Sequence, residues 1–242
     1  MIAPADWPQL PPGFDARLCV GDAFDTACRA AEDGAEDGLL LWVDRHDRCE
    51  AALVLRPLDP LGPALTLAYV GLLGLHDGFA ALAPAETPAA IAWPDRLMVN
   101  AACAGGLRLA HGPLVQKQGI ADVPDWLVLG IDVQMLGTED DDAPGTELEY
   151  TNLHEEGCGE ITVPRLVEAF GRHLLHWLDR WQEEGFAPVR RGLLHVLHEK
   201  DINIEMNGDA WQQDGSRKTW RSLAEALRHP SWRLPVFTGA QS

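Results

Sequence analysis

Two adjacent glycines, Gly105 and Gly106, mark where the backbone of this chain is most available for chemistry. Residues 92–107 read as strand, tight turn, strand. Trp93-Pro94 opens the first strand, which runs through Leu97, Met98 and Val99. Asn100-Ala101-Ala102 turns the chain, and the glycine pair heads the second strand. A strand that begins without side chains lets its amides approach a ligand with no Cβ in the way. Alternation sets Arg96 and Met98 on one face of the first strand and Asp95, Leu97 and Val99 on the other. It leaves open which face lines a pocket. Cys103 lies two residues before Gly105. A nucleophilic cysteine requires a pKa lowered by a nearby base or cation. No histidine adjacent in sequence supplies one, so His111 or His154 would have to be brought in by the fold. His173-x-x-His176 and His195-x-x-His198 have a spacing that shares one side of a helix. No Cys or carboxylate pattern completes a recognisable ligand set, and no metal is expected.

Several elements must position these residues. Residues 23–32 read as a helix, with Phe24, Ala27, Cys28 and Ala31 at helical spacing. Strands are expected at 39–43 and 51–57, joined by a polar turn. The apolar stretch 61–82 reads mostly as a helix, 65–83, despite its internal glycines. A further apolar strand covers 126–133, followed by an acidic loop over 137–148 and a capped helical turn at 151–156. The longest helix spans 163–184, with Leu166, Phe170, Leu174, Trp177, Leu178 and Trp181 on one face and Gly185 closing it. Beyond it, 193–197 and 202–206 read as strands. Asn207-Gly208 reads as a hairpin turn, 213–216 as a second turn, and 220–227 as a short helix. The expected division is a domain over 1–187 and a small C-terminal module over 188–242.

The 242 residues carry a formal charge of −18. That charge argues against nucleic acid, because nothing would neutralise phosphates, and against docking on an anionic membrane. No apolar run reaches the roughly 20 residues that span a bilayer. The N-terminus lacks the basic and apolar regions of a secretory signal. The five cysteines are scattered, with no CxxC pair, which fits reduced thiols in a cytoplasm.

Residues 92–107 resemble the central signature of the biotin and lipoate protein ligase family, approximately Lys-Trp-Pro-Asn-Asp-Leu, a turn, then Lys-x-Gly-Gly-Ile-Leu. The likeness extends in order along the chain. Residues 125–134, Asp-Trp-Leu-Val-Leu-Gly-Ile-Asp-Val-Gln, are similar to the family's strand ending in Gly-Ile-Gly-x-Asn. Tyr150-Thr151-Asn152-Leu153 resembles its Ala-Thr-Ser-Leu, and Gly185-Phe186 the end of its last catalytic-domain helix. About residues 14–190 are covered. The resemblance implies an α+β fold related to class II synthetases, a mixed, mostly antiparallel sheet flanked by helices, plus the small C-terminal module. It also implies a reaction. ATP, with Mg, activates a small carboxylic acid such as biotin, lipoate or octanoate as an acyl-adenylate, and the acyl group passes to a lysine on a carrier domain. Cationic groups and backbone amides would hold the carboxylate and phosphates.

The resemblance places the ligand contacts at Trp93, Pro94, Asp95, Arg96, Gly105, Gly106, Gly130, Asp132, Gln134 and Arg45. The departures fall in that same set. The lysine before the glycine pair is Cys103, the residue expected to carry any catalysis here. The lysine before Trp93 is Ala92, the Asn-Asp after Pro94 is Asp95-Arg96, and Asp132 and Gln134 replace a glycine and an asparagine. The ligand loop of the biotin ligases is reduced to residues 45–50, with no glycine. Lys117, Arg96, Arg45, Arg48 and Arg108 are the cations able to relocate the missing charge. Three functions follow: a divergent ligase that binds a carboxylic acid or its adenylate, a cysteine-dependent octanoyl or lipoyl transferase, and a binding or regulatory protein that has lost the chemistry.

Overall fold

The computed structural model describes residues 7–137, 149–214 and 217–232. Its centre is a seven-stranded sheet in the order β1-β2-β3-β9-β6-β5-β4. The strands are β1 (Asp15–Leu18), β2 (Leu39–Trp42), β3 (Arg48–Leu55), β4 (Ala89–Ala92), β5 (Arg96–Val99), β6 (Ala102–His111) and β9 (Leu127–Gln134). β1 and β2 are parallel, and the remaining pairs are antiparallel. This is the mixed, mostly antiparallel sheet flanked by helices that the resemblance implies. A hairpin of β7 (Leu114–Lys117) and β8 (Ile120–Pro124) extends from β6.

Alternation divides the sheet into two faces. Ala51, Leu53, Leu107, Leu129, Ile131 and Val133 point into the main core. There they meet α3 (Leu67–Ala80) and α4 (Val163–Glu184). α3 is apolar around nearly its whole circumference and is buried at every residue but Asp77 and Ala80. Gly74 and Gly78 let the backbone of α4 approach at Leu174 and Phe170. On the opposite face, Leu39, Leu41, Ala52, Val54 and Val128 pack against α1 (Ala23–Glu32). Asp22 caps α1 by accepting a hydrogen bond from the Asp25 amide.

The tail reads differently from expectation. Residues 193–197 are not a strand. They fall largely within α5 (Phe186–Val196), whose buried Phe186, Val189 and Leu193 recur at helical spacing. Five consecutive residues around Leu193 are too few to tell a buried strand from a helix. The apolar stretch 61–82 is broken at Thr66 into α2 (Leu61–Leu65) and α3. Trp220 belongs to β12 (Arg217–Arg221), and the short helix α6 (Leu223–Ala226) begins after its Ser222 cap. β12, β11 (Ala210–Asp214) and β10 (Ile202–Ile204) form a small antiparallel sheet, with Asn207-Gly208 turning between β10 and β11. The main core continues into this tail through Ile202, Ile204, Ala210, Leu223 and Leu227. The expected acidic loop lies mostly outside the described residues, as does the 215–216 part of the second turn. Among the described residues no helix is long and apolar enough to cross a membrane.

Candidate functional site

The register of the central strands gathers the candidate residues. Gly106 pairs with Asp132 and with Arg96, Arg108 with Gly130, and Glu50 with Asp132. Paired residues in antiparallel strands point to the same side, so all of these share the α1 face of the sheet. The glycine pair does not head its strand as expected, because β6 already begins at Ala102. A register shift between Leu97 and Met98 pairs Leu97 with Gly105 and Met98 with Cys103. One extra residue inverts the alternation, and Cys103 therefore emerges on the same face as Gly106. The bulge needs a glycine: Gly105 sits at φ +150°, and a Cβ there would collide with the Asp132 carbonyl oxygen. Trp93-Pro94 is a cis peptide.

The cations of this face are held by the protein's own acids. Arg48 makes a bidentate pair with Asp132, Nε to Oδ1 at 2.7 Å and Nη2 to Oδ2 at 2.5 Å. Both side chains are nearly buried, at 11% and 2% exposure. Arg45 forks onto Asp47 and donates from Nη1 to Glu50 Oε1 at 3.0 Å. Burial is the main cause that raises the Glu50 pKa, and the Asp132 charge adds to it. The hydrogen bonds from Arg45 hold Asp47 below its usual range. Arg108 donates from Nη2 to both carboxylate oxygens of Asp22 at 2.8 Å and lies over the Phe24 ring, 4.4 Å from its centroid. Phe24 itself packs on Gly130. The buried Nε–H of Arg108 has no hydrogen-bond partner among the described residues. Gln134 donates to the Leu136 carbonyl at 2.6 Å, beside this network. Lys117 is elsewhere, on the β7–β8 hairpin, bound to the Pro124 and Asp125 carbonyls.

At the other end of the face the chain covers its own glycine. A Cβ on Gly106 would collide with the Asp95 carbonyl oxygen and the indole of Trp232. Trp232 is fully buried and donates from Nε1 to the Leu107 carbonyl at 3.0 Å. Asp95 accepts from the Ser231 amide at 2.9 Å and from its hydroxyl. Burial pushes the Asp95 carboxyl up to about 6. Arg96 donates to the Ser231 hydroxyl at 2.9 Å and to its carbonyl at 2.5 Å. Trp232, Ala92, Met98 and Cys103 form a small cluster apart from the main core. Burial pushes the Cys103 thiol up to about 11 although Arg96 lies near, and the thiol donates to the Gly105 carbonyl. At neutral pH that thiol is protonated, the poor state for a nucleophile. Trp93 faces away from this site. Its Nε1 donates to the Tyr69 hydroxyl at 2.9 Å, which in turn donates to the Gly208 carbonyl at 2.6 Å.

Glu50, Asp22 and Trp232 escaped the sequence reading. Arg48-x-Glu50 in an otherwise apolar strand was a usable signal, because alternation places both on one face. Nothing near Gly106 in sequence points to Trp232. A cleft of about 480 Å³ lies elsewhere, lined by α3, α4 and α5 residues including Asp77, Trp177, Arg180 and His195. Another of about 630 Å³ lies between Trp181, Phe186 and Met206.

Comparison with known proteins gives a consistent picture. Residues 10–194 match the sequence profile of the biotin/lipoate A/B protein ligase family. The biotin–[acetyl-CoA-carboxylase] ligase of Paracoccus denitrificans is 29% identical over 161 residues, 63% of this chain. The chain spans only 62% of that relative's length. A biotin protein ligase-like protein from Silicibacter sp. TM1040, described as of unknown function, superposes with a TM-score of 0.79 at 29% identity, covering 91% of this chain and 99% of that one. The biotin protein ligase of Aquifex aeolicus, solved with biotin and ATP, shares the fold at a TM-score of 0.65 and 13% identity, covering 86% and 95%.

Proposed function

The chain belongs to the biotin/lipoate A/B protein ligase family, and from that premise we propose that it is a divergent ligase-like protein whose α1-side sheet face takes a small carboxylic acid of the biotin, lipoate or octanoate class, or its adenylate. The observation that carries this reading is the shared face: Arg48, Arg96 and Arg108 all stand on it, on the strands that carry Gly106 and Gly130 and their neighbours. A carboxylate and a phosphoryl group both call for guanidinium donors in a site shielded from water. The unpartnered Nε–H of Arg108 is a buried donor that a ligand acceptor would satisfy.

The reaction proposed is the one that the family resemblance implies. The acid's carboxylate attacks the α-phosphorus of ATP and pyrophosphate leaves. A carrier lysine then attacks the acyl carbonyl and AMP leaves. Cys103 cannot supply the cationic stabilisation of the family lysine, a contact worth a few kcal/mol at the transition state. Arg96 is the replacement, because it pairs with Gly106 on the same face and lies close enough to act on Cys103. A second reading, a binding protein without chemistry, is favoured by the protonated, buried Cys103 thiol. The same observation speaks against a thioester route.

Calorimetry with biotin, lipoate and octanoate, each with and without MgATP, tests this, with pyrophosphate release assayed in parallel. Binding of one acid together with acid-dependent pyrophosphate release supports the ligase. Binding without release supports the second reading. Silence with every acid, in the wild type and in Trp232→Ala alike, removes both. An acyl-thioester on Cys103, seen by mass spectrometry with octanoyl carrier protein, would restore the transferase.

A further inference from the structure

Ser231 and Trp232 reach the proposed ligand face from far along the chain; their partners Asp95 and Leu107 lie 136 and 125 residues away. We propose that this segment is a self-blocking strap, which sits over Gly106, ties Arg96 to itself, and lifts when the acid or its adenylate binds. The proposal rests on the reading of that face as the ligand site.

Three observations carry it. First, Trp232 occupies the space left by the missing Gly106 side chain, so indole and ligand would compete for one volume. Second, the strap consumes the cation that the ligand needs. Arg96 spends its Nε and Nη2 donors on the Ser231 hydroxyl and carbonyl, which are neutral acceptors. An anionic oxygen in their place adds ion pairing to the hydrogen bond and makes it stronger, which supplies the differential interaction that a ligand-driven opening requires. Third, the strap is separable. After the buried Leu227, Arg228 and His229 are exposed and Pro230 and Ser231 half-buried, so among the described residues of this stretch Trp232 is the one buried apolar anchor beyond Leu227. It packs with Ala92, Met98 and Cys103 in a cluster apart from the main core, so lifting it uncovers that cluster and leaves the core intact.

Cys103 is a built-in reporter, because it is buried in the strap's cluster, whereas Cys49 is buried in the main core. The 242-residue chain is alkylated under native conditions and each cysteine is followed by mass spectrometry. Ligand-driven opening draws on an open state already populated without ligand, so wild-type Cys103 labels at least tenfold faster than Cys49. Trp232→Ala speeds Cys103 at least a further tenfold while Cys49 stays protected, and it binds whichever of biotin, lipoate or octanoate the wild type binds at least tenfold more tightly. Should Trp232→Ala expose Cys49 as well, Ser231→Ala, which removes only the hydroxyl anchor, takes its place. Equal labelling of Cys103 and Cys49 in the wild type overturns the strap. Fast Cys103 labelling with unchanged affinity in the variant overturns the blocking role and leaves the ligand face standing. Fast labelling with no acid bound by either protein overturns the ligand face, and the strap's function with it.

Discussion

Asp132 stands where the family resemblance has a glycine, and Asp132→Asn tests what that exchange does. The bidentate bond to Arg48 joins two side chains with 11% and 2% exposure. Removing one partner of a buried pair costs about 3–5 kcal/mol, because the other charge is stranded. Two neighbours reduce that cost here. Glu50 Oε1 already lies 3.6 Å from Arg48 Nε and takes over part of its charge. Relief of the repulsion between Asp132 and Glu50, a contributor to the raised Glu50 pKa, returns more. The expected net loss is about 2 kcal/mol, which in a chain of this size lowers Tm by roughly 4–8 °C. Differential scanning calorimetry reads it. The pair Arg48→Met with Asp132→Leu recovers most of the loss, since no charge is left unpaired. In parallel, Asp132→Asn removes one negative charge from the proposed ligand face, and carboxylate affinity rises about tenfold, equivalent to about 1.4 kcal/mol. Additive Tm losses for the two sites, together with unchanged affinity, would refute a coupled pair that masks a ligand-binding cation.

Gly106→Ala forces a Cβ against the Asp95 carbonyl and the Trp232 indole, so urea denaturation should show a loss of about 2–3 kcal/mol, with Cys103 more reactive. The Asp95 carboxyl is raised from 3.8 to about 6, chiefly by burial. The folded state therefore binds this proton more tightly, and the resulting stabilisation is complete below about pH 4 and lost as pH rises through 6. Relative to Asp95→Asn, the wild type should lose up to about 3 kcal/mol between pH 4 and 7 and change little above that, as followed by urea titrations at stepped pH. Tyr69→Phe strands the Gly208 carbonyl and the Trp93 indole N–H, both served by one buried hydroxyl, and should cost about 1–3 kcal/mol in thermal or chemical denaturation.

The residues that were legible in the sequence are those with local causes. α1 and α4 have the boundaries that capping and apolar spacing indicate, because Asp22 starts one and Gly185, at φ +73°, stops the other. β9 is buried along its whole length and reads as an apolar run. β1 does not, since it is a sheet-edge strand with mostly exposed side chains and so carries no alternation. The Arg96 face became assignable only through long-range register, and the bulge beside it inverts the naive alternation from Gly106 back to Cys103. The cover over Gly106 was beyond reach for the same reason. Its chemistry, a serine and a tryptophan, is ordinary, and only the fold brings it to Asp95 and Leu107. The family likeness pointed to the proposed site, while the pairing of its arginines with Asp47, Asp132 and Asp22 was visible only in three dimensions.

The most direct test of the ligand face is an amide chemical-shift titration of the ¹⁵N-labelled 242-residue chain with biotin, lipoate and octanoate. The account predicts that one acid shifts Gly106, Arg108, Gly130 and Asp132 most, with Ser231 and Trp232 moving alongside them. Shifts confined to the cleft between α4 and α5, at Trp177, Arg180 and His195, or no shift with any of the three acids, would contradict it.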